Sequence, residues 1–345
     1  MSSTQPILQS LVDALPDPVL VLGPGQKILA SNVPARQLFA ILRGPATLPM
    51  VLRAPDILAA TDRVLSGGAA ETVMLHERVP VERLFSVHVG PLRDGDIFCA
   101  ALTLQDLTDA RRIERMRVDF IANASHELRT PLASLLGFIE TLQGPARDDA
   151  HARERFLVIM REQGQRMARL IDGLLSLSQI ERQQHVRPQA RVDLVEILRH
   201  CVDALTPLAK ENQVSLGLAA PDRLELIGDR DELMRVAENL IENAIKYGSD
   251  SDGAHARVDV SLGMEAGRAR LCVRDYGAGI APEHLPRLTE RFYRVHAGQS
   301  RAKGGTGLGL ALVKHIVVRH RGQLRIASQP GDGAEFIVEL PLAAD

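Results

Sequence analysis

The chain has 345 residues, of which 45% are hydrophobic and 24% charged, so it is long enough for two or three domains that each bury a core. Its formal net charge of −2 at pH 7 excludes a general electrostatic attraction to nucleic acid or anionic membranes. Only 3% of the residues are aromatic and none is Trp, which argues against surfaces that stack nucleic-acid bases.

The cysteines and the apolar segments indicate the compartment. Cys99, Cys201 and Cys272 are far apart and form no CxxC pair, which favours a reducing environment and argues against a disulfide framework or a zinc site. No apolar run approaches the roughly 18–20 residues of a membrane span, and the N-terminal segment lacks the features of a signal peptide. We therefore predict a cytoplasmic protein, or the cytoplasmic part of a membrane-associated sensor.

Residues 7–108 predict a small α+β domain of the sensor type. A short helical stretch is followed by PVLVL, a GPGQ turn and KILASN, which predict a β-hairpin with the helix PARQLFAIL behind it. The later segments ETVML, RLFSVHVGPL and DIFCAALTLQDLT have the continuous or alternating apolar pattern of strands.

Residues 109–184 predict two long helices. The first extends to IETLQG, and the segment GPARDDA that follows supplies a Gly-Pro break and an acidic start for the second. Apolar residues recur in the second helix at intervals of three and four, namely at Phe156, Ile159, Met160, Met167, Leu170, Leu174 and Leu177. The pattern predicts an antiparallel hairpin that dimerises into a four-helix bundle, because one hairpin cannot cover so wide a stripe.

Residues 190–342 predict an α/β domain with a mixed sheet. Helices are expected at 193–211, at 229–247 and from about 307 to 320. The expected strands are VSLGL, LELIG, RVDVSLG, ARLCVRD, QLRIAS and AEFIVELPL, of which the last two form a closing hairpin.

The first long helix carries a histidine on its polar face. On a helical wheel of about 100° per residue, the apolar residues gather on one side and His126 lies on the other. Thr130 follows one turn later, Glu127 is adjacent, and Pro131 deprives the Glu127 carbonyl of its backbone partner. A single surface histidine is commonly only solvated, but an imidazole beside a carboxylate and a hydroxyl is a candidate nucleophile.

Two segments of the last domain carry groups suited to a nucleotide. The helix ENLIENAIKYG places Asn239 and Asn243 one turn apart, and amide oxygens on one helix face can coordinate Mg²⁺. Asp275 ends a strand and is followed by Gly277 and Gly279. Its carboxylate can accept a hydrogen bond from an adenine amino group, and the glycines allow the backbone to approach closely.

Two further segments are suited to phosphates. Within ERFYRV, Arg291 and Arg294 are cations able to bind phosphate oxygens. The glycine-rich GGTGLGLALVKHIV leads into a helix N-terminus, where backbone N–H groups and the helix dipole favour anions. Each segment alone has an ordinary structural explanation, but the four in this order and spacing predict an ATP site.

Residues 119–342 resemble a two-component sensor histidine kinase and are similar to the phosphate-regulon-type sensor kinases. SHELRTPL resembles the phosphoacceptor box, NLIENAIKY the N box, DYGAGI the first glycine box, ERFYR the F box and GGTGLGLAL the second glycine box. The resemblance implies a dimeric two-helix phosphotransfer domain and an α/β-sandwich ATP-binding domain of the Bergerat type. LPDPVLVLGPGQKILASN resembles a PAS domain. Tyr276 departs from the family, which often has Asn at that position.

The resemblance also implies a role for each matching residue. His126 would accept the γ-phosphoryl group of ATP, Glu127 would orient the imidazole or take its proton, and Thr130 would complete the ExxT pattern of phosphatase activity. Asn243 would hold Mg²⁺. The other residues implied to bind the nucleotide are Asn239, Lys246, Tyr247, Asp275, Gly277, Gly279, Arg294, Gly305, Thr306, Gly307, Leu308 and Gly309.

The implied protein is a homodimeric, ATP- and Mg²⁺-dependent histidine kinase. It would pass the phosphoryl group to an Asp of a response regulator, would not bind nucleic acid directly, and would consist of a PAS-like domain (7–108), a dimerisation and phosphotransfer domain (109–184) and an ATP-binding domain (190–342).

Two alternatives share the ATP site. Conformational ATPases and protein-serine kinases of the Bergerat type have no need for SHELRTP on a dimerising helix, and an acid-labile, base-stable phosphoprotein would distinguish a histidine kinase from a serine kinase. A pseudokinase that serves as a dimeric binding module is the other alternative. The retention of His126, Asn243, Asp275 and the complete glycine-rich loop argues against it.

Overall fold

The structure, a computed structural model, describes residues 4–39, 46–77, 82–94, 97–183, 186–248, 256–295 and 305–342. The chain divides into two compact units, Met1–Ile121 and Ala122–Asp345, and the division falls within one long helix. The boundaries of the three domains expected from the sequence stay a prediction.

The first unit is built on a five-stranded antiparallel sheet with the strand order β2-β1-β5-β4-β3. Its strands are β1 (Val19–Gly23), β2 (Lys27–Ser31), β3 (Glu71–Glu77), β4 (Arg83–Asp94) and β5 (Ile97–Asp106). Its helices are α1 (Thr4–Asp13), α2 (Val33–Leu38), α3 (Leu48–Val51) and α4 (Pro55–Leu65). The predicted α+β architecture is therefore present, while the PAS-like assignment stays a prediction. The end of the predicted helix PARQLFAIL lies outside the described residues.

Both faces of the sheet are covered near strand β1, because successive side chains of a strand point to opposite faces. Leu20 and Leu22 face the main core, which also contains Ile57 of α4. Val19 and Val21 face a smaller cluster, and all five residues of β1 are buried. The continuous apolar run PVLVL thus reflects a central strand that is buried on two sides.

Asn32 joins strand β1 to helix α2 from a fully buried position. Its Oδ1 accepts hydrogen bonds from the backbone N–H groups of Val19 and Ala35, both at 3.0 Å, and the second of these caps helix α2. Its Nδ2 donates to the carbonyls of Leu15 (3.1 Å) and Asp17 (2.7 Å). One side chain therefore satisfies four backbone groups in the core of this unit.

We expect Asn32→Ala to destabilise the first unit by about 3 kcal/mol, because buried backbone groups lose their partners and a helix loses its cap. Amide hydrogen exchange across β1 should then become about 100-fold faster, since each 1.4 kcal/mol is a factor of ten. Mass spectrometry of peptic peptides measures this rate. Gln37→Ala, at an exposed position of α2, is the control and should leave it unchanged. Equal exchange in the two variants would refute the role given to Asn32.

Helix α5 (Thr108–Gln143) crosses from the first unit into the second, where it pairs with helix α6 (Ala150–Gln183). The two helices form the predicted hairpin, and the rings of Phe138 and Phe156 lie 5.1 Å apart between them. Helix α5 continues through Pro131. No described helix combines the length and the apolar character that a membrane crossing requires.

The rest of the second unit contains the predicted mixed sheet, in the order β11-β12-β10-β9-β7. Strands β7 and β9 are parallel, and the other neighbours are antiparallel. The strands are β6 (Arg191–Asp193), β7 (Ser215–Ala219), β8 (Glu225–Ile227), β9 (Arg257–Glu265), β10 (Arg268–Asp275), β11 (Gln323–Ser328) and β12 (Ala334–Pro341). The helices are α7 (Leu194–Glu211), α8 (Arg230–Gly248) and α9 (Gly309–Arg319). Strands β6 and β8 form a separate pair.

The burial of the strand residues shows that the helices cover one face of this sheet. In β12, buried and half-buried side chains alternate along the whole strand. Helix α8 contacts β9, β10, α7 and α9, so it lies at the centre of the helical layer. This arrangement is the α/β sandwich expected from the sequence. Helix α9 begins two residues later than predicted, because Gly307 has a left-handed φ of +72° and cannot belong to the helix.

Candidate functional site

The histidine of the phosphoacceptor box is exposed on helix α5, as the helical wheel predicts. The neighbouring Glu127 is half-buried, and Thr130 is exposed one turn further along. The Thr130 hydroxyl donates a hydrogen bond to the carbonyl of His126, at 3.2 Å. This is the ordinary bond of a threonine on a helix surface, and it keeps the hydroxyl beside the histidine.

Two arginines from different parts of the unit bind the carboxylate of Glu127. The Oε2 atom of Glu127 lies 3.2 Å from Nη2 of Arg166, on helix α6, and 3.2 Å from Nη2 of Arg294. All three side chains are largely removed from water, with exposed fractions of 13% for Glu127, 14% for Arg166 and 7% for Arg294. The residue beside His126 is therefore in direct contact with the F-box segment.

The two asparagines of the N box lie on helix α8 as predicted. Nδ2 of Asn239 donates to the carbonyl of Arg235 at 2.7 Å, and its Oδ1 faces the backbone of Gly309, where a Cβ atom would lie 2.4 Å away. Asn243 is half-buried one turn later. The oxygen of Asn239 is thus directed at the N-terminus of helix α9. The amide oxygens of Asn239 and Asn243 fit Mg²⁺, which prefers oxygen ligands.

The end of helix α8 carries the other two predicted N-box residues. Lys246 forms an ion pair with Glu242 at 2.6 Å, and the ring of Tyr247 is 37% exposed. Both side chains are therefore at the surface of the helix next to the first glycine box.

Asp275 is a buried carboxylate at the end of strand β10. Its Oδ1 accepts hydrogen bonds from the backbone N–H groups of Gly277 (3.0 Å) and Ala334 (3.2 Å). Burial raises the pKa of the Asp275 carboxyl, and these two bonds oppose the rise because they favour the ionised form. The neighbouring Tyr276 is partly exposed and donates its hydroxyl to Asp259 on strand β9 at 2.9 Å.

The glycine boxes approach helix α8 at distances that exclude a side chain. A Cβ atom on Gly277 would lie 2.3 Å from the carbonyl oxygen of Tyr247, at the C-terminal end of the helix. Gly309 approaches the same helix at the side-chain oxygen of Asn239, which lies 2.4 Å from where a Cβ atom would be. Gly279, with a φ of +72°, packs against the backbone of Gln329. The structure therefore brings the N box and both glycine boxes together around one helix.

The F box and the second glycine box are joined through their backbones. The N–H of Phe292 donates to the carbonyl of Gly307 at 2.7 Å, and Phe292 itself has a left-handed φ of +64°. Beyond Gly305, the Thr306 hydroxyl accepts a hydrogen bond from the N–H of Leu308 at 3.4 Å, and Leu308 is buried. Arg294 therefore belongs to a segment whose backbone is attached to the glycine-rich loop.

Helix α6 also contacts the α/β part of this unit through several side chains, of which only Arg291 is among the residues predicted for the site. Arg291 and His315 both lie next to the carboxylate of Glu181, and Arg235 donates to the hydroxyl of Ser176 at 2.5 Å. These contacts join residues that are 59 or more positions apart in the chain. No local motif indicates them.

Arg166 was missed as well, although the hairpin offered a signal. Glu127 and Arg166 are equally far along the chain from the middle of the loop 144–149. The distances of Phe138 and Phe156 from that point differ by only one residue. In an antiparallel hairpin, residues at equal distances from the loop lie opposite each other. This register would have identified Arg166 as the partner of Glu127.

Two protein-family models match the chain. The His Kinase A (phospho-acceptor) domain matches residues 116–183, and the histidine kinase-, DNA gyrase B- and HSP90-like ATPase matches residues 228–344. The phosphate regulon sensor protein PhoR of Pseudomonas aeruginosa is 40% identical over 238 residues, which are 68% of this chain and 52% of PhoR. The chain belongs to the sensor histidine kinases.

Other known proteins are similar over comparable lengths. The sensor-like histidine kinase SenX3 of Mycolicibacterium smegmatis is 36% identical over 250 residues, which are 72% of this chain and 64% of SenX3. The chain thus spans between about half and two thirds of the length of these relatives. The resemblance to phosphate-regulon-type sensor kinases is confirmed.

A solved structure shares the fold. The histidine kinase ThkA, in complex with the response regulator protein TrrA, matches with a TM-score of 0.50 and 19% identity, over 97% of this chain and 98% of that chain. At this identity the likeness shows the fold alone. It agrees with the predicted helical region followed by an α/β ATPase domain.

We expect Gly277→Ala to lower the free energy of unfolding of the second unit by about 2 kcal/mol, because the added methyl group collides with the Tyr247 carbonyl. Scanning calorimetry should show this as a fall in Tm of roughly 4–8 °C for a unit of this size. The control is Gly263→Ala on strand β9, where no atom lies within 4 Å of the new Cβ. If both variants melt like the parent protein, the close approach of the first glycine box to helix α8 is wrong.

Proposed function

We propose that the chain is an ATP-dependent protein-histidine kinase that phosphorylates His126 and transfers the phosphoryl group to an Asp of a response regulator. The contact between Glu127 and Arg294 carries this proposal. It joins the residue beside the acceptor histidine to the segment that is attached to the glycine-rich loop. The contact would bring the glycine-rich loop close to His126, as delivery of the γ-phosphate to that residue requires.

The protein contributes to phosphoryl transfer mainly by positioning the reactants and by neutralising the charge of the phosphates. A neutral ring nitrogen of His126 attacks the γ-phosphorus, the bond from that phosphorus to the bridging oxygen breaks, and ADP leaves. The imidazole proton would pass to the carboxylate of Glu127, the next residue on the helix. In the second step, an Asp carboxylate of the regulator attacks the phosphorus, the P–N bond of phosphohistidine breaks, and the departing imidazole takes back a proton.

The nucleotide would lie against helix α8. Asp275 would accept a hydrogen bond from the adenine amino group, since bonds from two backbone N–H groups fix the orientation of its carboxyl group. Lys246 and Tyr247 would line the nucleotide, and residues 305–309 would place their backbone N–H groups against the phosphates. Asn243, with Asn239 beside it, would hold Mg²⁺, which supplies neutralising charge to the phosphates when bound. Arg294 would turn from Glu127 towards the phosphates.

A homodimer is supported by the apolar residues that the hairpin leaves uncovered. Leu132, Leu136, Leu157 and Leu175 are each between 47% and 65% exposed. Exposed leucines that recur along two paired helices are typical of a face that packs on another hairpin. A response regulator is proposed as the partner by analogy with ThkA, whose structure contains TrrA. The PAS-like assignment of residues 7–108 and the cytoplasmic location remain predictions.

His126→Gln should abolish phosphate incorporation while leaving the affinity for ATP within about twofold of the parent value, because the nucleotide residues belong to other elements. Incorporation from radiolabelled ATP, with an acid-lability test on the product, measures the first property, and calorimetric titration of ATP the second. His151→Gln, at an exposed position of helix α6, should behave like the parent. Asp275→Asn should instead weaken ATP binding at least tenfold.

Acid-stable labelling, or undiminished labelling of His126→Gln, would move the acceptor elsewhere and contradict the proposal. Unchanged ATP affinity in Asp275→Asn would contradict the placement of the adenine.

We also propose that the protein dephosphorylates its regulator with the help of Thr130. Rotation about χ1 would release the hydroxyl from the His126 carbonyl and direct it at a water molecule in line with the aspartyl phosphate. Positioning of that water would accelerate its attack on the phosphorus.

Thr130→Ala should slow the decay of purified phospho-regulator, measured with added kinase and ADP, at least tenfold, or about 1.4 kcal/mol of barrier. Autophosphorylation should stay within a few-fold of the parent rate. The matched control is Thr141→Ala on the same helix, because the Thr141 hydroxyl makes the same kind of bond, to the carbonyl of Gly137 at 2.7 Å. Equal decay with the parent, Thr130→Ala and Thr141→Ala proteins would leave Thr130 with a structural role only.

A further inference from the structure

The carboxylate of Glu127 binds two guanidinium groups, and only one of them belongs to a motif of the nucleotide site. Building on the proposed function, we propose that Arg166 is a positioning residue for phosphorylation of His126. It would hold the Glu127 carboxylate beside the imidazole when Arg294 turns to the phosphates of ATP.

The geometry gives the two arginines equivalent positions in the present structure. Both Nη2 atoms lie 3.2 Å from the same oxygen, Oε2 of Glu127. The partial burial of all three side chains strengthens these contacts, because charges removed from water are less screened. A carboxylate that lost both guanidinium groups in such a place would be costly to keep ionised.

The two arginines differ in what they are attached to. Arg166 lies on helix α6, opposite Glu127 in the same hairpin, so its position relative to Glu127 is fixed by the packing of two long helices. Arg294 follows Phe292, whose N–H is bonded to Gly307 in the glycine-rich loop. The phosphates of ATP, which carry several negative charges, would compete with one carboxylate for the Arg294 guanidinium. Arg166 is then the cation that remains with Glu127.

The remaining cation matters because Glu127 must act in one geometry. A glutamate side chain on a helix surface has several rotamers, and holding one of them costs conformational entropy. A guanidinium held in place by the helix packing would keep the carboxylate in one rotamer before the reaction begins. It would do so through a planar, charge-assisted hydrogen bond. Lysine would supply the charge without the planar geometry.

Arg166→Gln should therefore lower the maximal rate of autophosphorylation at saturating Mg-ATP at least tenfold, with the half-saturating ATP concentration within twofold of the parent value. Arg166→Lys should recover part of the rate. The matched control is Arg169→Gln, on the same helix but exposed, which should leave both parameters unchanged. Equal Tm values in calorimetry show that the variants are folded.

A double variant tests whether Arg166 acts through Glu127. In a Glu127→Gln background the carboxylate is absent, so adding Arg166→Gln should change the residual rate by less than twofold. A full tenfold loss in that background, or a rise in the half-saturating ATP concentration in place of the loss of rate, would overturn the proposal. Both outcomes describe an arginine that supports packing or ATP binding.

The failure of this proposal differs from the failure of the proposed function. If His126→Gln still incorporates phosphate, His126 is not the acceptor, and both the proposed function and the role of Arg166 are refuted. If His126→Gln is inactive but Arg166→Gln keeps the parent rate, only the positioning role is refuted.

Discussion

Two glycine-containing segments approach helix α8 closely, and the site depends on this constraint. Gly277 meets the carbonyl of Tyr247 at one end of the helix, and Gly309 meets Asn239 nearer its middle. Because these approaches fix the strand end with Asp275 and the N-terminus of helix α9 against the same helix, the groups suited to adenine, to magnesium and to phosphate come together. A methyl group at Gly277 would collide with the helix backbone, whereas one at Gly309 would displace the Asn239 side-chain oxygen.

Helix α8 is also held at its N-terminal end, by buried charges. Arg319, at the end of helix α9, forms an ion pair with Glu232, and Nε2 of His320 accepts the N–H of Asp229 at 3.0 Å. Burial raises the pKa of Glu232 and lowers that of His320. The histidine must therefore stay neutral to keep its bond, whereas Arg319 supplies the positive charge that the buried glutamate needs. Helices α8 and α9 are thus attached to each other at two points, at the beginning of helix α9 through Gly309 and at its end through Arg319.

Among the described residues, helix α5 contacts the F box through the carboxylate of Glu127, and helix α6 adds further contacts. Glu127 joins two arginines, one from its own hairpin and one from the F box. Glu181, Ser176 and their partners extend the same connection along helix α6. The contacts of Glu181 and Ser176 lie closer to water than those of Glu127, and polar contacts in reach of water are weak enough to be exchanged.

The sequence by itself determined the hairpin, the order of the strands along the chain and the residue types of the site, because these depend on local apolar periodicity and on motifs of a few residues. It placed His126 on the exposed face of helix α5 for the same reason. Only the tertiary structure decided which side chains meet across the chain. Arg294 reaches Glu127 from 167 residues away, and no local pattern encodes such a distance. Phe292 adopts a left-handed φ that its residue type disfavours, since the hydrogen bond to Gly307 and the packing around it outweigh a local preference of about 1–2 kcal/mol.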